Sequence, residues 1–143
     1  MTLVLPMFSM VLLTFIIGTI GLTVRIKSVK SGAVRARAFK LMDEPNWPEA
    51  VRKTTRSLNN QFEVPMLFYV ACTLLLVNGA ITTIMVSIAW LFVIARIVHA
   101  YIHITYNHIL HRMIAYWVSC MSVLGLWVIV VISYTHKWML LNT

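Results

Sequence analysis

Three helical faces in this sequence carry side chains that could act together on a charged ligand. In "RSLNNQFEVP", residues 56 to 65, Arg56, Asn60 and Glu63 stand at i, i+4 and i+7. In "ARIVHAYIHITYNHILHRMIAY", residues 95 to 116, Arg96, His99 and His103 stand at i, i+3 and i+7. Arg112 and Tyr116, followed by Cys120, form a third stripe at i, i+4 and i+8. Together the stripes hold the guanidinium groups of Arg56, Arg96 and Arg112 but only one carboxylate, that of Glu63. Glu63 can pair with one arginine, most readily Arg96. The remaining positive charge asks for an anionic ligand, which guanidinium groups bind through charge-assisted hydrogen bonds.

These residues sit within or beside apolar runs. The chain has 143 residues, 60% of them hydrophobic and 11% charged, with a mean hydropathy of +0.84, whereas a soluble domain carries about 25% charged residues. Four apolar stretches, 3–24, 58–77, 81–105 and 109–134, each approach the ~20 residues that cross a bilayer as a helix. They predict an all-α fold, an integral membrane four-helix bundle forming one domain over residues 1–143. The start "MTLVLPMF" has no basic residue and no cleavage-type small-x-small pattern, so the first stretch is expected to be a retained helix rather than a signal peptide.

Nine of the twelve Lys and Arg residues lie between Arg25 and Arg56. By the positive-inside rule this basic loop, 25–57, is cytoplasmic and both termini face the other side. The tight connection Tyr106 to His108 is then cytoplasmic and Val77 to Ala80 forms the outer turn, where Asn-Gly permits unusual backbone angles. The net charge of +8 reflects topology and attraction to anionic headgroups rather than nucleic-acid binding. Cys72 and Cys120, both inside spans, are expected to be small apolar fillers. Pro48 and Glu49 suit the first turn of a helix beginning near residue 48, and Pro65 is expected to bend the second span.

Depth makes the polar residues costly. Arg96 lies about three turns inside the cytoplasmic interface at ~1.5 Å per residue, where an arginine costs at least ~2.5 to 3.5 kcal/mol unless it meets water or a partner. Each piece also has a plainer reading. Arg56 can snorkel to the interface, Arg96 with Glu63 can be a structural ion pair, and Tyr116, Asn59 and Asn60 can hydrogen-bond between helices. His99 and His103 at i, i+4 could ligate a metal or haem, although with one nearby carboxylate they form a thin ligand set. Taken together, the stripes describe a basic cavity open to the cytoplasm.

The constellation Arg-x3-Asn-x2-Glu, Arg-x2-His and Arg-x3-Tyr across three successive spans resembles the MAPEG family, membrane-associated proteins in eicosanoid and glutathione metabolism. The resemblance implies a homotrimer holding glutathione between adjacent subunits near the cytoplasmic face. It implies that Arg56, Asn60, Glu63, Arg96 and His99 line the tripeptide's groove, that Tyr116 contributes from the last span, that Arg25 adds a further basic contact, and that Arg112 activates the thiol. His103 departs from the pattern, which has tyrosine there. The implied activity is that of a glutathione transferase or peroxidase acting on an apolar second substrate, an electrophile or lipid hydroperoxide arriving from the bilayer. The alternative is a noncatalytic scaffold, or a subunit of a larger membrane complex that binds membrane lipid. An inner bacterial membrane is favoured over the endoplasmic reticulum.

Overall fold

The structure, a computed structural model, describes residues 2–40, 47–79 and 81–142. Its regular elements are all helical: α1 (Val4–Lys30), α2 (Ala36–Lys40), α3 (Glu49–Asn59), α4 (Val64–Asn78), α5 (Thr83–Ile104) and α6 (Ile109–Leu141). A 3-10 turn, Asn60–Phe62, joins α3 to α4. With α3 and α4 taken as one broken rod, four helices are long and apolar enough to cross a membrane. One end of the bundle carries α2, α3 and the α5–α6 turn and is called the loop end. The other, the terminal end, carries the start of α1, the α4–α5 turn and the end of α6.

Several hydroxyl side chains along the spans are satisfied locally. Thr14, Thr19, Thr23, Ser122 and Thr135 each donate to the carbonyl four residues earlier, at 2.8 to 3.0 Å, which lets a hydroxyl exist where no water competes. Toward the terminal end the helices close on Met10, Phe68, Leu75, Phe92 and Leu126, all buried. The rings of Phe68 and Phe92 stack with centroids 4.3 Å apart. Half-buried Trp127 and Tyr134 on α6 reach across to the carbonyls of Leu67 and Leu74 on α4, because the polar tip of an aromatic packed between helices needs a partner. Cys72 is buried in this core and Cys120 is half-buried, both as free thiols.

The basic stretch 25–57 is helical over much of its length. Helix α1 continues past Arg25 to Lys30 and places Lys27 and Lys30 in its last turn, where cations meet the negative end of the helix dipole. Helix α3 starts at Glu49, directly after Pro48, and Glu49 pairs with Lys53 at 2.6 Å. Residues 41–46, which include Asp43, Glu44 and the "EPN" before Trp47, lie outside the described residues, as does Ala80 of the Val77–Ala80 turn. The φ of +83° at Gly79 ends α4 in the left-handed region, as the Asn-Gly pair suggests.

Candidate functional site

Pro65 sets the geometry of the site. Its nitrogen cannot donate to the Gln61 carbonyl, so a continuous helix from α3 into α4 would lose a hydrogen bond and clash. The chain instead tightens into the Asn60–Phe62 turn, passes Glu63 at φ −97° and ψ −103°, and restarts with Pro65 in the first turn of α4, where its missing N–H is not needed.

Beside this break lies a cleft of about 570 Å³. Arg56, Asn59, Asn60 and Glu63 form one wall, His99 and His103 on α5 a second, and Ile109, Arg112, Met113 and Tyr116 on α6 a third. The structure therefore brings together Arg56, Asn60, Glu63, His99, Arg112 and Tyr116, the ends of three polar stripes that are far apart in the chain. Two guanidinium groups and one carboxylate face the same space, with a phenol and two imidazoles between them.

The histidine rings have assignable roles. A carbonyl only accepts, so His99 donates from Nδ1 to the Arg112 carbonyl at 3.1 Å, and its Nε2 is left as a bare acceptor. That Nε2 is buried without a partner among the described residues. The Tyr116 ring packs against the His99 ring at 5.8 Å between centroids. His103 faces Arg112 through Nε2 at 3.5 Å. No group of three or more His, Cys, Asp or Glu side chains among the described residues is placed to hold a metal ion.

Arg96 departs from expectation. It does not pair with Glu63; among the described residues the only salt bridge is Lys53 to Glu49. Arg96 is fully buried and donates from Nη2 to the Asn60 carbonyl at 2.5 Å, while its Nε and Nη1 have no partner among the described residues. The helix break explains the exchange, because it brings a backbone acceptor to the guanidinium while leaving Glu63 on the cleft wall. Arg96 thus lies outside the cleft lining, as a buried cation with hydrogen-bonding capacity to spare.

Arg25 lies elsewhere in the chain's own fold. Its Nη2 donates to the Thr55 hydroxyl at 3.0 Å, and its guanidinium lies 5.6 Å from the Phe39 ring and 5.7 Å from the Trp47 ring. These contacts tie the basic connection to α1 and α3 through cation–π attraction. They do not place Arg25 on the cleft.

Asn107 was not among the residues expected here. Its Oδ1 accepts from Arg112 Nη1 at 2.8 Å. The available signal was its place in "TYNHIL", since asparagine between two helices is a turn residue that tolerates left-handed backbone.

No curated protein and no solved structure matches the chain. The model of the MAPEG family does, over residues 3–132, a range that takes in helices α1 to α5, most of α6 and every residue of the cleft. By that match the protein, with its four apolar helices and its basic cleft at the α3–α4 break, belongs to the MAPEG family.

Proposed function

We propose that the cleft binds glutathione and raises the reactivity of its thiol toward an apolar electrophile or a lipid hydroperoxide, making the protein a membrane glutathione transferase or peroxidase. MAPEG proteins generally work with glutathione, and the residues here suit it. The observation that carries the reading is the convergence of Arg56, Arg112 and Glu63 on one cleft, with Arg96 buried beside it. Glutathione has two carboxylates, one ammonium and one thiol. Two or three guanidinium groups and one carboxylate are their complement.

Arg112 would serve the thiol. A free thiol of pKa ~8.5 is mostly protonated at neutral pH, and a fixed cation beside it favours the thiolate. In conjugation the thiolate sulfur forms a bond to the electrophilic carbon and the leaving group departs with its electron pair. In peroxide reduction the thiolate attacks the distal oxygen, the O–O bond breaks, and the alkoxide takes a proton to leave as alcohol. The resulting sulfenic acid condenses with a second glutathione to give the disulfide and water. In both routes Arg112 stabilises negative charge as it moves.

The fuller assembly belongs to the same reading. A homotrimer would cover the lipid-exposed side of α1, where large side chains such as Phe8, Phe15 and Ile16 are more than half exposed. The loop end would face the cytoplasm, as its nine basic residues suggest. Calorimetry of glutathione binding to detergent-purified protein tests the proposal. Saturable binding by the wild type, weakened tenfold or more in Glu63→Gln, is the expected result, about 1.4 kcal/mol or more. Well-folded wild type that binds no glutathione but retains anionic phospholipid would refute it in favour of a lipid-binding scaffold.

A further inference from the structure

The α5–α6 turn combines two unusual features in one residue. Asn107 has φ +49°, the only positive φ among the described non-glycine residues. Its N–H closes the end of α5 by donating to the Ile102 carbonyl at 2.8 Å. Asparagine is one of the few residues that adopts this conformation readily. The same residue's Oδ1 then accepts from Arg112 Nη1 at 2.8 Å.

Arg112 Nη1 also points at His103 Nε2, 3.5 Å away. A guanidinium Nη carries two hydrogens; one is donated to Asn107 Oδ1, and the other is directed at His103 across the longer contact. His103 can accept only as the neutral ring protonated on Nδ1, and that Nδ1 is buried without a partner among the described residues. The contact therefore spends the ring's accepting nitrogen on Arg112. The Nη2 and Nε groups of Arg112 have no such partner among the described residues.

Where Arg112 stands makes this arrangement consequential. Together with His103 and Arg56 it lines two clefts, the one described above and a second of about 340 Å³ that also touches Arg52, Lys53 and Asn107. An untethered arginine side chain at that shared wall has two directions to choose from.

The geometry points to Asn107 and His103 as positioning residues for Arg112. They engage both hydrogens of Nη1, fix the plane of the guanidinium, and present its Nε–Nη2 edge to the larger cleft. The inference deepens the thiol reading and rests on it for the chemical consequence, but the clamp itself is a property of the free protein.

Glycine at position 107 separates the two roles of Asn107, because it accepts the left-handed backbone while removing Oδ1. In detergent-solubilised protein without ligand, NMR of the Arg112 side chain should show hindered guanidinium rotation in the wild type, lost in Asn107→Gly. With glutathione bound, Asn107→Gly should form the thiolate, followed by its ultraviolet absorbance, at a pH about one unit higher than the wild type. Its kcat should fall about tenfold to a hundredfold, as small misplacements of catalytic groups do, with glutathione affinity and thermal unfolding little changed. His103→Gln, which offers an acceptor where Nε2 lies, should retain most activity; His103→Phe should lose part of it.

A freely rotating Arg112 in the wild type, or an Asn107→Gly variant with unshifted thiolate midpoint and full kcat, would overturn the inference. A wild type that holds Arg112 rigidly yet binds no glutathione would uphold the clamp and overturn the thiol reading instead.

Discussion

The two ends of this bundle solve opposite problems with the same helices. Toward the terminal end α4, α5 and α6 meet through Phe68, Leu75, Phe92 and Leu126, and the polar tips of Trp127 and Tyr134 find carbonyls across the interface. Toward the loop end Ser57, Gln61, Arg96, His99 and His103 are each buried with at least one polar atom unpartnered among the described residues, against Asn78 Oδ1 toward the terminal end. A buried unpaired polar group costs about 1 to 3 kcal/mol, and a charged one more. The first region is built for packing. The second holds reserve hydrogen-bonding capacity that packing does not use, which is what a binding site for a polar, charged molecule needs.

The sharpest way to break the comparison is to damage one end and measure both. Removing the stacked ring with Phe92→Ala should destabilise the bundle by about 3 to 5 kcal/mol, read as a large drop in unfolding temperature in detergent. Glutathione affinity of the protein that remains folded should hardly move. If affinity collapsed in proportion, the two ends would be one cooperative unit rather than a packed half and a binding half.

Arg112→Ala addresses the opposite end and should lower turnover by about 10²- to 10³-fold, the effect of losing a group that stabilises developing charge. Unfolding temperature should stay near that of the wild type, and glutathione should still bind. Steady-state kinetics beside calorimetry separates the two effects. Glu63→Gln keeps the shape of its side chain and loses one charge. It is expected to weaken glutathione binding by about tenfold or slightly more while leaving the thiolate midpoint of the bound molecule in place.

The smallest effect is also the most informative. Arg96→Met exchanges a buried cation with two unpartnered nitrogens for an apolar chain of related length. In the absence of ligand this should leave stability unchanged or raise it by about 1 kcal/mol, since well-packed apolar groups often outperform buried charge. Glutathione binding should fall in the same variant. A large loss of ligand-free stability would show that Arg96 has a structural role, and that the loop end is better satisfied than its hydrogen bonds suggest.

Much of the site was legible because helical periodicity is a property of sequence. Arg56 with Asn60 and Glu63, and Arg112 with Tyr116, share a face by spacing alone, and they do share a cleft. Three points were not legible, because each depends on where non-helical backbone turns or on which helices meet. Arg96 turned to the Asn60 carbonyl rather than the Glu63 carboxylate, because the break before Pro65 presents that carbonyl. Asn107 entered the site through a left-handed turn residue. Arg25, near the site in chain terms by its helix end, packs instead between two aromatic rings from the connection between α1 and α3.

Composition and hydropathy by themselves determined that this chain makes four long apolar helices, because a chain in lipid must satisfy every backbone hydrogen bond within its own segments. Spacing determined which polar residues share a face. Only the tertiary structure decided which faces meet, which arginine lines the cleft and which lies buried beside it. Those choices depend on where a broken helix exposes a carbonyl and where a four-residue connection turns, and the contacts made there join residues 36 and 13 positions apart in the chain.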